Sequence, residues 1–484
     1  MGRSHKALLW AAATLAAAAA ALPALGQQDV ETGSQNPATR AVIEGSATLS
    51  GPMSAPAAAP ENAPASVERG RYLVAMGDCV ACHTQKGGKP FAGGRPLQTP
   101  FGTVLSANLT PDAQTGIGHY TADTFYRAMS EGVDDEGHHL YPAFPYNYYT
   151  KLTRADSDAM FAYLRTLAPV SHPLERNQLP FPFNIRAVMV LWNWMFLDKG
   201  TFQPDQTQSA EWNRGAYLVE GLAHCEACHT PKNILGGNKS GKAFQGGTFG
   251  QWFAPDITPN TRVGVGSWKP QELEAYLRAG RNVHSAASGE MGEVVAYSTS
   301  QMTPSDLAAV VNYLSTLKPS LAVKTTAPDA TVMRQGEAIW RDQCTACHAV
   351  QAKGVPLYFP PLANNANLQQ RDPTTVIRFI LEGASKVGTD KAPTQLSMPA
   401  FNWKLDDAQI AAVATYARNS FGNVASPVTA EQVETLRKKL RPPLNPLGDP
   451  KPTPMTNPGP GTLSTAGSSS LQNGTPRAGQ QAPI

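Results

Sequence analysis

The chain has 484 residues, a length for about three domains, and its 41 Gly and 41 Pro favour loop-rich ones. Its 40 Lys and Arg against 37 Asp and Glu give a net charge of +3, dispersed without a basic block carrying interleaved aromatics, which excludes nucleic acid as a partner. All six cysteines fall in one five-residue pattern written three times.

Residues 1–26 read as a cleaved secretory signal. Arg3 and Lys6 supply its positive start, residues 7–21 an Ala-rich apolar run short for spanning a bilayer, and Ala24-Leu25-Gly26 the small residues at cleavage. Export of this kind places the protein on the periplasmic side of the bacterial cytoplasmic membrane. Losing Arg3 and Lys6 leaves a nearly neutral mature chain. Residues 27–66, rich in Ala, Pro, Ser and Gly, have no apolar period and read as a flexible linker.

A first domain is expected over 67–175. Arg69-Gly70-Arg71-Tyr72-Leu73-Val74 precedes Cys79-Val80-Ala81-Cys82-His83. C-x-x-C-H is the attachment signature of c-type haem. Residues i and i+3 share one face of a helical turn, so both thiols can form thioethers with the vinyl groups, and the following imidazole reaches the iron. A zinc knuckle would need two such pairs close together, and a thioredoxin-like site a single pair near a βαβ unit. Neither suits pairs more than a hundred residues apart. An amphipathic helix over 153–167 should close the domain, carrying Phe161 and Tyr163. The loop before it, His138-His139-Leu140-Tyr141-Pro142-Ala143-Phe144-Pro145-Tyr146, holds no Met for the sixth iron position. Met129 and Met160 sit at apolar helical positions and read as core. His138 or His139 is a candidate ligand, with His139 better placed beside the apolar turn. A five-coordinate iron, with both His in solvent, is the alternative.

Residues 176–208 form an apolar bridge, with Ile185 to Leu197 its most hydrophobic part. That stretch is too short to span a bilayer comfortably and contains Arg186 and Asn193. It reads first as a buried interdomain helix, then as an interfacial element with Trp192 and Trp194, or as a docking surface.

The second domain, 209–320, repeats the pattern as Arg214-Gly215-Ala216-Tyr217-Leu218-Val219 and Cys225-Glu226-Ala227-Cys228-His229. Its closing helix, 303–317, is capped by Thr303 with Pro304 and Asp306 in the first turn. The preceding loop offers Met291 as sixth ligand, while Met302 at the helix start reads as packing. The third domain, 328–425, is a weaker repeat: Gly336-Glu337-Ala338-Ile339-Trp340, then Cys344-Thr345-Ala346-Cys347-His348. Its ligand candidate is Met398 in Ser397-Met398-Pro399-Ala400-Phe401, before a helix over 405–420 that Asp406 can cap. In cytochrome c folds the helix before the haem motif crosses the last helix, and Gly70, Gly215 and Gly336 are placed to let an aromatic of that last helix approach. A Pro carbonyl in Phe359-Pro360-Pro361-Leu362 is placed to accept from His348 Nδ1. Asn108-Leu109-Thr110-Pro111-Asp112 and its counterpart Asp256-Ile257-Thr258-Pro259-Asn260 read as turns or propionate contacts. Residues 426–484 read as a short helix followed by a disordered Pro/Gly/Ser-rich tail.

The fold class is therefore all-α: three tandem cytochrome c domains with long loops, binding three covalently attached haems c through Cys79, Cys82, Cys225, Cys228, Cys344 and Cys347. His83, His229 and His348 are the proximal ligands. No nucleophile or substrate site is legible, so the chemistry is electron transfer. A free periplasmic carrier and a haem peroxidase are the other readings.

The three haem motifs, the repeat Arg-Gly-x-Tyr-Leu-Val, Phe181-Pro182-Phe183-Asn184 and the loop Tyr141-Pro142-Ala143-Phe144-Pro145-Tyr146 resemble the triheme cytochrome c subunit of bacterial membrane-bound dehydrogenases. The resemblance covers about residues 66–440. It implies a catalytic partner subunit (quinoprotein, flavoprotein or molybdenum protein) and delivery of electrons at the membrane surface to ubiquinone or an oxidase. Alcohol dehydrogenase members often carry Met where this chain has Phe144, and the Phe form is similar to cytochromes accompanying molybdenum-containing hydroxylating dehydrogenases.

Overall fold

The computed structural model describes residues 64–440 except 386 and 396. The expected signal, nearly all of the linker and the tail beyond 440 lie outside the described residues. The first helix, α1 (Pro64–Met76), already begins within the last residues read as linker.

In the first domain α1 leads into α2 (Cys79–Cys82), the hairpin β1 (Pro96–Thr99) and β2 (Gly102–Leu105), α3 (Ala122–Glu131), α4 (Tyr146–Tyr149) and α5 (Arg154–Leu164). Thr153 caps α5 by accepting from Asp156 N. The bridge forms α6 (Val188–Phe196). The second domain runs α7 (Ala210–Ala216), a π-turn at Tyr217–Leu222, α8 (Glu226–His229), β3 (Gln245–Phe249) paired with β4 (Trp252–Asp256), α9 (Pro270–Ala279), α10 (Gly289–Tyr297) and α11 (Pro304–Thr316). The third has α12 (Ala330–Gln343), α13 (Thr345–His348), α14 (Thr374–Glu382), β5 (Ala384–Ser385) paired with β6 (Ser397–Met398), α15 (Asp407–Asn419) and α16 (Ala430–Leu440). The described chain is thus helix-rich, with three small two-stranded ladders added to the all-α expectation. Both expected caps on the later closing helices are present: Thr303 accepts from Asp306 N, and Asp406 from Gln409 N.

In each domain the first and closing helices cross at the expected glycine. A Cβ on Gly70, Gly215 or Gly336 would lie 1.8, 2.0 or 2.2 Å from the carbonyl oxygen of Ala159, Ala309 or Ala412, and within 3 Å of the Cβ of Tyr163, Tyr313 or Tyr416. Only hydrogen fits there, so the backbones themselves touch.

The repeat motif has a second role. Arg69 Nε donates to Asp156 Oδ1 at 2.8 Å, and Tyr217 of the second domain donates to Asp156 Oδ2 at 2.6 Å. Reciprocally, Arg214 donates to both oxygens of Asp306 at 2.7 Å, and Tyr72 of the first domain donates to Asp306 Oδ2 at 2.7 Å. Each domain's Arg–Asp pair is completed by the other domain's tyrosine, a local two-fold arrangement. Arg and Tyr stand three apart on one helix face, and each Asp sits in the first turn of a closing helix. The third copy has Gln335, Ala338 and Gln409 at these positions and takes no part. Accordingly one core runs from Leu73 through Leu222 to Leu314 across the first two domains, while a separate core around Ile377, Ile410 and Ala414 belongs to the third.

Helix α6 departs from a buried helix. Met189 and Trp192 pack onto Tyr146, and Trp192 Nε1 donates to Leu235 O, so α6 bridges the first two domains. Val190, Leu191, Trp194 and Met195 are exposed, Trp194 at 81%.

Candidate haem sites

Six unpaired cysteines lie in three short helical turns. Burial pushes the thiols of Cys79, Cys82, Cys225 and Cys228 up to about 12, and that of Cys344 to about 11, so they are neutral thiols and not thiolate nucleophiles. Among the described residues no three His, Cys, Asp or Glu side chains gather as a metal site of their own.

Each histidine that follows a cysteine pair is oriented in the same way. His83 Nδ1 is 2.7 Å from Ala107 O, His229 Nδ1 is 2.7 Å from Pro255 O, and His348 Nδ1 is 3.2 Å from Pro360 O. A carbonyl can only accept, so Nδ1 carries the proton and Nε2 keeps its lone pair for a metal. Burial also lowers the His83 and His229 pKa, which favours the neutral imidazole. The carbonyl for His348 comes from the expected Pro-Pro turn. Those for His83 and His229 come from the residues just before Asn108 and Asp256, Ala107 in a loop and Pro255 at the end of β4. These two polar residues form turns, Asn108 Oδ1 accepting from Thr110 N at 2.9 Å and Asp256 Oδ1 from Thr258 N at 2.7 Å, and so the turns place the carbonyls.

A cavity of about 640 Å³ opens beside Ala107, lined also by Leu105, Tyr141, Leu174, Arg176 and Arg186. Its volume is that of a cofactor pocket. The two guanidiniums suit carboxylates such as propionates. Two thiols and a tautomer-locked imidazole fit a covalently held haem c, and the cavity, lined by Glu175 as well as the two arginines, meets this site at Ala107, whose carbonyl fixes His83.

The candidate sixth ligands are spread over different elements. Met398 is half-buried on β6, opposite Ala384. Met291 lies within α10 and not in a loop, because Gly289 in a left-handed conformation starts a helix through Glu290–Tyr297. It packs against the core shared by the first two domains. Met129, Met160 and Met302 are core residues at 4, 1 and 3% exposure. His139 lies against α6, its Nδ1 3.5 Å from Asn193 Nδ2, and does not line the cavity. His138 is exposed beside Asp134 and Glu136. Phe144 packs between Tyr146 and Tyr149.

Sequence reasoning did not find the contacts between domains. Arg95 of the first domain pairs with Glu290 and Glu293 on α10. Asp78, next to Cys79, is driven up to about 8 by burial, and Glu293 adds to this. Comparing the repeats position by position would have flagged Arg95, since the second copy has Thr248 in its place.

Comparison with known proteins agrees with this geometry. The cytochrome c family model matches residues 67–168, 213–318 and 333–420, one segment around each motif. The chain is 38% identical over 396 residues to the gluconate 2-dehydrogenase cytochrome c subunit of Pantoea cypripedii, covering 77% of this chain and 90% of that one. It is 36% identical to the fructose dehydrogenase cytochrome subunit of Gluconobacter japonicus, covering 77% and 82%. It is 40% identical to one subunit of the nicotinate dehydrogenase of Pseudomonas putida over 74% of this chain, but only 30% of that longer protein. With three matched segments, three equally oriented histidines and these relatives, the chain belongs to the cytochrome c family, among the cytochrome c subunits of dehydrogenases.

Proposed function

We propose that this protein is the electron-transfer subunit of a dehydrogenase complex on the periplasmic face of the bacterial cytoplasmic membrane. It holds three covalent haems c and passes electrons from a catalytic subunit to ubiquinone. The observation that carries the reading is the threefold recurrence of a cysteine pair followed by an imidazole fixed by a backbone carbonyl. When bound, haem supplies the one-electron change at iron. The chain's own residues attach it, orient the proximal imidazole and exclude water. Met291 and Met398 are the proposed sixth ligands of the second and third haems. The first, with Phe144 in its loop, takes His139 or no sixth protein ligand.

The exposed face of α6 supports attachment to a membrane surface. Trp194, Leu191 and Met195 stand out with Phe181, Ile234 and Leu235 on neighbouring segments. No described helix is long and apolar enough to cross a membrane. An interfacial face with an exposed Trp suits headgroup depth.

The test is purification from membranes in mild detergent. A co-purifying catalytic subunit with a quinone, flavin or molybdenum cofactor, and quinone reduction by the complex, are the expected result. A triheme protein emerging alone without detergent would point instead to a free carrier. Peroxide-dependent oxidation of the reduced protein would favour the peroxidase reading, to which the Met-free loop before α5 is suited.

A further inference from the structure

Arg95 stands where the repeat does not ask for an arginine. Phe91-Ala92-Gly93-Gly94-Arg95 matches Phe244-Gln245-Gly246-Gly247-Thr248: φ is 62° and 61° at the phenylalanines and 73° and 76° at the first glycines, and the backbones part at the second glycine, where φ is 83° at Gly94 and not positive at Gly247. Thr248 is exposed and serves the same hairpin, so the fold does not need a guanidinium there.

The Arg95 backbone is clamped, its N–H donating to Ser106 Oγ at 3.0 Å and its carbonyl accepting from Ser106 N at 3.0 Å. From this fixed root the side chain makes three contacts. Nη1 donates to Ala81 O at 2.7 Å and to Glu293 Oε2 at 2.6 Å, and Nη2 donates to Glu290 Oε2 at 3.2 Å. Ala81 lies between the two cysteines of the first haem motif. Glu290 and Glu293 flank Met291 on α10. The same cation therefore holds the attachment turn of one haem and the helix that carries the candidate ligand of the next. On its far side α10 meets the third domain, where Val387 packs on Gly280 and Gly292.

We propose that Arg95 is a positioning residue that latches the Met291 helix onto the attachment turn of the first haem, so that ligation at the second haem depends on a side chain of the first domain. The latch rests on the reading of Met291 as that haem's sixth ligand. A planar guanidinium suits it, because its donors reach a carbonyl and two carboxylates at once. Without it, Glu290 and Glu293 face each other and Asp78. Arg378 of the third domain then acts on Glu290 but hydrogen-bonds Glu382 and does not reach α2. With Arg95 gone, α10 loses the hydrogen bonds that tie Glu290 and Glu293 to the Ala81 turn, and the two carboxylates on α10 repel each other.

The experiment compares Arg95→Gln, the double variant Glu290→Gln/Glu293→Gln and Met291→Gln with the wild-type holoprotein. The readouts are the far-red thioether-to-iron band and the midpoint potentials. In Arg95→Gln we expect weakening of one of two thioether bands. We also expect the corresponding reduction equilibrium to fall roughly tenfold, about 59 mV for a one-electron couple, with the third haem unchanged. The double variant should weaken the same band, and it serves where Arg95→Gln does not accumulate with haem. If Met291→Gln removes a band while Arg95→Gln and the double variant leave bands and potentials at wild-type values, the latch is wrong and the ligand reading stands. If Met291→Gln leaves both bands, the ligand reading fails and the latch with it. A change in melting temperature alone, with spectra intact, also overturns the latch.

Discussion

At the scale of single residues, the most exposed prediction concerns Asp78. Its carboxyl is pushed up to about 8, first by burial and then by Glu293, with Arg95 opposing. A raised carboxyl means that the folded chain holds its proton more tightly than the unfolded one. This contribution to stability is full at acid pH and is lost as pH climbs from the ordinary carboxylate range to about 8. Asp78→Asn should flatten that decline, which thermal melts of the holoprotein at about pH 5 and about pH 8 would reveal. The same residue bears on potential: an oxidised iron nearby favours the ionised carboxylate, so the first haem should become easier to oxidise as pH rises. That the cysteine pairs and their histidines form three like sites was legible because covalent attachment demands one spacing. The Pro360 carbonyl was legible too, since a Pro-Pro turn after the motif has few ways to run. The Asp78 environment was not, because it is assembled from Arg95 and Glu293, far away in the chain.

At the scale of elements, the crossings at Gly70, Gly215 and Gly336 make a sharp prediction. Gly215→Ala would set a methyl 2.0 Å from Ala309 O, and backbone cannot turn aside as a flexible side chain can. The α7–α11 pair must separate, at a cost of about 3 kcal/mol or more, as in other overpacked cores. Gly336→Ala should act on the third core alone. Chemical denaturation followed by haem absorbance would measure both, and a loss below about 1 kcal/mol would contradict the close crossing. These crossings could be read from sequence because a Gly stands shortly before each motif and an aromatic recurs on each closing helix, as the cytochrome c resemblance implies. Helix α10 could not, since Gly289 disguises its start as a loop. Helix α6 misled in another way. Its composition is that of a core helix, yet only Met189 and Trp192 are covered. Trp194→Glu with Leu191→Glu should therefore cut association with anionic vesicles several-fold and leave haem content unchanged, as a flotation assay would show.

At the scale of the whole molecule, the first two domains are joined by Tyr72–Asp306 and Tyr217–Asp156. A hydrogen bond to a buried charge contributes about 1.5–3 kcal/mol. Tyr72→Phe and Tyr217→Phe should each destabilise the joined pair by about 2 kcal/mol. Because Arg214 pairs with Asp306 and also lies over the Tyr217 ring, the two bridges share one network, and the double variant should depart from additivity in equilibrium unfolding. The repeat Arg-Gly-x-Tyr was visible in the sequence from the start, while its purpose was not: periodicity marks a position without naming its partner.

The two-fold relation has one more consequence. The attachment turn of the first site lies against the second domain, Arg95 joining the Ala81 carbonyl to Glu290 and Glu293. A perfectly symmetric pair would present two identical sinks, between which an electron has no preferred side. The two halves differ beside this contact: Arg95 against Thr248, Asp78 against His224, a loop without Met against a segment that holds one. Under the proposed function these differences should give the two sites unequal potentials, which a redox titration would measure.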